Sequence, residues 1–541
     1  MSNEVKQKSK QDLSMQESPQ AREAQLGITV KKEQDLSEWY TQVVLKAELA
    51  DYSGAKGFMA VRPYGYAIWE ILRERFDQEI KKTGHQNAYF PTLIPESLLQ
   101  KEAEHFAGFT PEVFWVTKAG DRDLQERLAV RPTSETIIHD AMKRWIRSWR
   151  DLPMLLNVWN SVLRAEIKST KPFIRTTEFL WQEGHTAHAT EEEAEKEVME
   201  ILMLYKKITE ELFAVPVLIG KKSEKEKFVG AVYTTTLEAM MPDGKAVQTG
   251  TSHHLGQNFS VPFDIKYLGE DGGMHHVWQT SWGISWRLIG AMIMEHGDDK
   301  GLIIPPNVAP IQAIVIPILF SSTSSSSQVS SSLSTKGRTR VDKGAKEEEK
   351  EKEQRGGDTA SVISVCREVK SRLENCGVKV KVDERENYTP GWKFNEWELK
   401  GVPLRIEVGP RDVAAGSVVL VRRDVSDRSE KKKQAKLEDL EVSVKETLNE
   451  IQSALLRRCE ERLHTQISEA SNFETLSKIL EERGGFVKAP WCGSRECEDK
   501  VKESTGADIR VIPFDEKPKG EDKCVVCSNL GLHLVYFARA Y

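Results

Sequence analysis

Cysteine is scarce in this chain, with seven among 541 residues. That is too few for a disulfide scaffold. Apolar residues are also short, at 39% against the ~45–50% of ordinary globular chains. Some of the length is therefore expected to lie outside any packed core. Neither sign of charge dominates: 77 Lys and Arg face 83 Asp and Glu, a net charge of −6. A globally basic nucleic-acid coat is excluded, whereas a local basic face is not. A long apolar run is missing too. The richest stretch, Leu302–Phe320, is broken by Pro305, Pro306, Asn307, Pro310 and Pro317, so no membrane span is expected. The first residues have no apolar core of a secretory signal. Glu4, Asp12 and Glu17, with a single arginine at Arg22, fit a transit peptide poorly. The class these absences leave is a soluble, intracellular chain of roughly three to five domains, at ~100–200 residues each.

Residues 1–30 are Lys-, Gln-, Glu- and Ser-rich and are expected to be a disordered tail. The first packed domain is expected over 37–305. Within it, apolar spacing at Ile68, Ile71, Leu72, Phe76 and Ile80 predicts a helix over Tyr66–Lys82. A second helix follows Thr190, with Glu193 placed for a capping box. Its apolar face is Val198, Ile201, Leu202, Tyr205, Ile208 and Leu212. A buried strand, Ile311–Ile318, opens a second domain over 309–435. The serine tract Ser321–Thr335 and the charged run Lys343–Arg355 read as an insertion or loop, 321–357, with no core of its own. A helix near Ala360–Cys376, a strand at Val378–Val382, a helix around Lys393–Lys400 and strands at Leu404–Val408 and Ser417–Val421 suggest a small α/β domain. A helical spacing from Leu437 leads into a C-terminal module, 437–541. There Cys492-x₄-Cys497 and Cys524-x₂-Cys527 form two close pairs across a loop, which suits a tetrahedral, structural thiolate zinc site. Cys366, Cys376 and Cys459 are isolated and read as packing residues.

The segment with most chemistry is Pro172–His185, PFIRTTEFLWQEGH. Read as a strand, it places Phe173, Arg175, Thr177, Phe179, Trp181, Glu183 and His185 on one face. That face combines a cation, aromatics, an acid and a histidine, and suits a polyanionic nucleotide together with an amino compound. Leu155–Ile167 reads as its hairpin partner, with Val162, Arg164 and Glu166 on one face and a basic turn at 168–172.

The words Arg164-Ala165-Glu166 and Phe173 through Phe179 resemble motif 2 of the class II aminoacyl-tRNA synthetases. Tyr66–Lys82 followed by GHQNAYFP (84–91) resembles motif 1, and GISWRLIG (283–290) resembles motif 3. RPTSET (131–136), FLWQEGH (179–185), GTSHHLGQNF (250–259) and HGDDK (296–300) are similar to the archaeal and eukaryotic type of prolyl-tRNA synthetase, over about residues 37–541. The resemblance implies an α+β fold: an antiparallel-sheet catalytic core, an α/β anticodon-binding domain, and a small zinc-binding α/β domain. It implies a homodimer, with Pro91 near the interface, and a proline–tRNA ligase acting on L-proline, ATP and tRNA(Pro). Phe179 and Arg287 lie too close in sequence for the large editing insertion of bacterial-type relatives. The alternatives are a non-catalytic tRNA-binding regulatory relative, or a class II enzyme charging threonine, serine or glycine. A cytoplasmic location is expected, with plastid or mitochondrion as the alternative.

The family's residue roles carry over as follows. Arg164 meets both the proline carboxylate and the α-phosphate, while Arg175 and Arg287 hold the outer phosphates. Phe179 stacks on adenine. Glu166, Thr176, Gln248, Thr251 and Ser285 contact the nucleotide, with Gln248 also near Mg²⁺. Thr133, Glu135 and His253 bind proline, and Trp181, Glu183 and His185 form its wall. His254 reads as an ordinary core histidine. Lys393, Arg405, Arg411, Arg422 and Arg423, with Trp392 or Trp397 for stacking, are the candidate tRNA contacts. Relatives ending like Phe537–Tyr541 tuck the terminal tyrosine towards the active site. Two departures stand out. Ala165 replaces a large aromatic, and Trp286 replaces a small hydroxyl residue next to Arg287, where its bulk is expected to crowd the nucleotide.

Overall fold

The computed structural model describes residues 27–103, 112–319 and 342–541. The chain opens with α1 (Leu36–Lys46), whose N-terminus is capped by Asp35 accepting from the Ser37 and Glu38 N–H groups. The motif 1 helix α2 (Pro63–Lys82) begins a few residues before the expected Tyr66, because Pro63 occupies the first helical turn, where no N–H is needed. Strand β1 (Gln86–Ala88), helix α3 (Glu135–Trp145), strands β2 (Met154–Leu163) and β3 (Glu178–His188), and helix α4 (Glu191–Lys207) follow. Then come β4 (Leu218–Lys221), β5 (Tyr233–Met240), β6 (Ala246–Gly256), β7 (Trp278–Ser285) and helix α5 (Arg287–His296).

These seven strands form one sheet in the order β1-β2-β3-β7-β6-β5-β4, antiparallel except for the β1–β2 pair. Helices α1, α2, α4 and α5 cover one side of it. Trp39, Tyr40, Ile68, Leu72, Phe76, Ile201, Leu202, Trp282, Leu288 and Met292 make one continuous core there. Full burial of each such side chain contributes about 1.5–3 kcal/mol. The apolar face expected for α4 is buried as read, and Thr190 caps it by accepting from the Glu193 N–H.

The hairpin was expected to span Leu155–Ile167 and Pro172–His185. The ladder in fact closes at Leu163↔Glu178. Residues 164–177 form the connection instead, because the Lys171 carbonyl accepts from the Ile174 and Arg175 N–H groups and Phe173 turns into the left-handed region at φ 59°. The expected single face therefore holds only from Phe179 onward. Phe173 is turned into the core, and Arg164 and Glu166 have left the strand.

The second sheet is built from β8 (Ala313–Pro317), β9 (Val380–Val382), β10 (Leu404–Val408), β11 (Ser417–Arg422) and β12 (Lys432–Lys436). Helices α6 (Asp342–Asn375), α7 (Pro390–Leu399) and α8 (Leu440–Thr465) accompany it. Its order is β9-β8-β10-β11-β12, with β8 parallel to both neighbours. The serine tract lies outside the described residues. The charged run Lys343–Arg355, expected as loop, is the first half of α6. Its Lys and Glu residues are good helix formers, and that propensity prevails without any apolar stripe.

The third sheet has β13 (Ile467–Glu469), β14 (Phe486–Trp491), β15 (Asp508–Val511) and β16 (His533–Ala538) in the order β13-β14-β16-β15. Helices α9 (Phe473–Glu482) and α10 (Arg495–Thr505) pack with it. The first and third sheets touch. Lys221 at the end of β4 exchanges both backbone hydrogen bonds with Ile512, each at 2.8 Å. Gly220 permits this approach, since a Cβ there would meet the Ile512 carbonyl oxygen at 2.3 Å. No helix among the described residues is long and apolar enough to cross a membrane.

Candidate active site

The middle of the seven-stranded sheet floors a cavity of about 250 Å³. Its lining includes Thr133, Glu135, Arg164, Phe179, Trp181, Glu183, Gln248, Thr251, His253, Ser285 and Arg287. The structure thus gathers these residues, spread over more than 150 positions, because β3, β6 and β7 are adjacent in the sheet and α3 begins at its rim.

At one end, the Thr133 hydroxyl donates to the Glu135 carboxylate, and the Ser134 hydroxyl to Glu183. Asn160 Nδ2 also donates to Glu183, at 2.6 Å, and Trp181 Nε1 donates to Asn160 Oδ1 at 2.6 Å. The indole wall is thereby fixed in orientation. His185 lies behind the cavity, fully buried, with Nε2 3.2 Å from Glu183. Burial works against both charges of this pair. Their mutual hydrogen bond outweighs it, raising the imidazole above its usual value and lowering the carboxyl. His253 behaves oppositely. Burial, assisted by repulsion from His185, pushes it down to about 3, so it is neutral. Its ring nitrogens meet the hydroxyls of Thr234 at 2.9 Å and Thr251 at 3.1 Å.

Arg164 lies between the two ends. Its guanidinium carbon is 5.2 Å from the Phe179 ring and 5.7 Å from the Trp181 ring, while Nε donates to the Pro132 carbonyl at 3.4 Å. At the other end, Arg287 Nε donates to the Ile174 carbonyl at 2.9 Å and Nη1 to the Gln248 carbonyl at 3.1 Å. Among the described residues, neither Arg164 nor Arg287 has a carboxylate at ion-pair distance. Burial, then the nearby Arg164 charge, lowers Arg287 to about 10. Arginines that rest on carbonyls and rings rather than in close ion pairs, with Glu135 and Glu183 at the opposite end, are suited to a polyanion.

Three expected nucleotide contacts are not part of this lining. Arg175 and Glu166 are exposed in the connection after β2, and the Thr176 hydroxyl is buried, donating to the Glu178 carbonyl at 2.6 Å. Trp286 does not crowd the cavity. It is buried on the far side, edge-on to Phe173 at 5.5 Å, because the backbone turns from strand to helix at residue 286, which sends its side chain into the core and leaves Ser285 and Arg287 at the cavity. His254 is fully buried and stacks on Tyr233 at 5.1 Å. Glu226, Phe228 and Thr234 line the cavity without having been expected. For Thr234 the signal lay in its pairing with His253 across β5 and β6. Glu226 and Phe228 sit in a loop without motif.

In the third sheet's domain, Cys492 follows β14, Cys497 lies in the first turn of α10, and Cys524 and Cys527 share a turn. All four sulfurs lie within 4.8 Å of one another. The Cys492–Cys497 and Cys492–Cys527 separations are both 3.6 Å, close to the roughly 3.8 Å implied by Zn–S bonds of about 2.3 Å in a tetrahedron. The Ser494 N–H and the other three thiols draw Cys492 down to about 7 against its burial. The donor set fits zinc with no open position. Gln248 offers one neutral oxygen for magnesium, which fits an ion that takes its other ligands from phosphates and water.

Most of the cations expected to meet RNA are engaged within the protein. Lys393 is buried and donates to the Asp383 carbonyl at 2.9 Å. Arg405 pairs with Glu407 and Glu398, Arg422 with Asp424 and Glu450, and Arg423 with Asp298 at 2.6 Å. Trp397 is buried against Asp383. Arg411 is exposed. Trp392 stacks on Tyr388 at 3.8 Å, and Arg385 lies over both rings. Tyr541 lies beside β6, its hydroxyl donating to Asp243 at 2.6 Å.

An antiparallel sheet with an aromatic-flanked arginine, a second arginine opening the helix after β7, and a separate α/β domain define the class II aminoacyl-tRNA synthetases. Comparisons with known proteins agree. The family description "tRNA synthetase class II core domain (G, H, P, S and T)" matches residues 114–296, "Anticodon binding domain" matches 347–454, and "Prolyl-tRNA synthetase, C-terminal" matches 473–541. A proline–tRNA ligase of Cenarchaeum symbiosum is 51% identical, covering 95% of this chain and 100% of the relative. That of Natranaerobius thermophilus is 49% identical, covering 95% and 98%. A solved prolyl-tRNA synthetase of Cryptosporidium parvum, complexed with halofuginone and AMPPNP, has a TM-score of 0.84 and 42% identity, covering 96% of this chain and 100% of that one. The chain belongs to the prolyl-tRNA synthetase family.

Proposed function

We propose that this protein is a proline–tRNA ligase. The observation that carries the reading is the position of Arg164, where an amino-acid end and a nucleotide end of one cavity meet. At the first end, Glu135 accepts from the secondary ammonium of proline. Trp181 packs the pyrrolidine ring, backed by Glu183 and His185, and Thr133 and neutral His253 complete the wall. A neutral imidazole suits this place, since a second cation would repel the ammonium. At the other end Phe179 stacks on adenine, Thr251, Gln248 and Ser285 meet the nucleotide, and Arg287 holds the outer phosphates. Arg175, Glu166 and Thr176 would join only if the connection after β2 folds over bound ATP.

An oxygen of the proline carboxylate attacks the α-phosphorus, a new P–O bond forms, and pyrophosphate leaves with the bonding pair. The terminal ribose hydroxyl of tRNA(Pro) then attacks the activated carbonyl, and AMP leaves with the bonding pair while the hydroxyl proton passes to the departing phosphate. Arg164 spans the carboxylate and the α-phosphate, so it both positions the reactants and neutralises charge growing on phosphorus. Magnesium, when bound, would neutralise phosphate charge beside Gln248. Zinc on Cys492, Cys497, Cys524 and Cys527 would hold the C-terminal fold.

The working parts follow the three sheets: a catalytic part over 37–305, an anticodon-reading part over 309–435 and a zinc-binding part over 437–541, with α8 bridging the last two. The Tyr388–Trp392–Arg385 stack is the surface best suited to unstacked tRNA bases. Homodimerisation is supported by the exposed edge strand β1 and the adjoining Tyr89, 75% exposed. The test is amino-acid-dependent ATP–pyrophosphate exchange across a panel. Exchange with proline supports the reading. Exchange with threonine, serine or glycine alone overturns the substrate, and none at all with zinc-loaded protein overturns the activity.

A further inference from the structure

Glu238 lies on β5 and is fully buried. Two cations serve this one carboxylate. Lys222 Nζ donates to it at 2.8 Å. Arg510, carried on β15 of the C-terminal domain, grips both of its oxygens, with contacts of 2.8 to 3.0 Å. The Thr236 hydroxyl also donates to Glu238, at 3.0 Å, and accepts from Gln248 Nε2 at 3.2 Å. The main-chain carbonyl of Gln248 in turn accepts from Arg287. A β-bulge at Leu237/Glu238 brings Glu238 opposite Gln248 across the ladder. A continuous polar chain thus runs from the C-terminal domain to the nucleotide end of the cavity.

Lys222 alone satisfies the charge of Glu238, so neutrality does not require Arg510. What Arg510 adds is geometry. A bidentate fork fixes the plane of the carboxylate, and that plane sets where Thr236, and through it the Gln248 amide, can sit. The main-chain bridge between Lys221 and Ile512 holds β15 at the right distance to do this.

We propose that Arg510 is a positioning residue for ATP, acting through Glu238 and Thr236 on Gln248, so that the C-terminal domain sets the nucleotide end of a catalytic cavity it does not line. The proposal rests on the ligase reading above.

The test compares Arg510→Met, Arg510→Lys, Thr236→Val and the double variant Arg510→Met/Thr236→Val in the full, zinc-loaded chain. Exchange kinetics are measured with ATP and the amino acid varied in turn, and magnesium–ATP binding by calorimetry. Arg510→Met is expected to raise the KM for ATP about tenfold while that for proline stays within twofold. Arg510→Lys should recover part of the loss. Thr236→Val breaks the chain midway without touching the C-terminal domain and should give the same split. The double variant should be no worse than either single one. Parallel rises in both KM values, or a wild-type ATP KM in Thr236→Val, would overturn the proposal. An amino acid other than proline in the panel would overturn the ligase reading instead, and calorimetry would still decide the role of Arg510.

Discussion

Arginines behave differently in the cavity and in the middle domain. Arg164 and Arg287 rest on carbonyl oxygens and aromatic faces, with no carboxylate at ion-pair distance among the described residues. Arg405, Arg422 and Arg423 each close on one or more acids. The residue type is the same, and the partners decide the use. A cation left without its counter-charge in a buried site is held ready for an anion, whereas a cation matched to carboxylates holds the fold together.

The largest effect expected from this contrast is at Arg164. Arg164→Ala should lower proline-dependent exchange about 10³-fold without lowering thermal stability, and a loss under tenfold would break the comparison. A pH step separates the two regions next. His253 and His296 are both held at about 3 by burial. Because these folded values lie below the unfolded one, stability is full above about 6.5 and is lost as pH falls from there towards 3. At pH 5 each should cost about 2 kcal/mol. In the middle domain Asp383 sits at about 2, its burial outweighed by Arg385 and Trp397. Its contribution is present above the unfolded carboxyl value and lost only as pH falls through about 2. Hydrogen exchange at pH 7 and 5, corrected for intrinsic rates, should show loosening around β6 and α5 but not around β9. Equal loosening would remove the distinction.

Arg423→Met should cost about 1–2 kcal/mol in thermal unfolding, since Asp298 is partly solvated. It should leave the KM for tRNA within twofold. Trp392→Ala should do the reverse, raising the KM for tRNA about tenfold with exchange unchanged. The smallest effect is expected at Arg411, where an alanine should shift both measures less than twofold, as for a solvated surface charge.

Much of the cavity was legible in sequence because its residues lie on strands. From Phe179 onward the two-residue alternation delivers Phe179, Trp181 and Glu183 to one surface, whereas Ser285 at the end of β7 and Arg287 at the start of α5 were found only through the resemblance of GISWRLIG to motif 3. It failed at Phe173 and Arg175, where a left-handed residue ends the alternation. It failed at Trp286 for a different reason: a local motif names the neighbour of Arg287 but not the face that neighbour takes. Arg405 and Arg422 had their acids two residues on, at Glu407 and Asp424, and the sequence reading passed over them; Arg423 was misread because its acid is set by tertiary packing. Asp298 lies 125 positions from Arg423. Arg510 and Glu238 lie 272 apart, and nothing local marks either. The expectation of a loop at Lys343–Arg355 underrated helix propensity in a segment with no apolar face.

The bridge between Lys221 and Ile512 has a consequence beyond the cavity. Strand β4 is the outer edge of the seven-stranded sheet, and an uncovered edge is a template for aggregation. The C-terminal domain acts as a cover over that edge. If this domain were unfolded, or clipped by a protease, it would expose β4 to other copies. Turbidity should then rise before the catalytic core melts, so the first casualty of C-terminal damage would be solubility.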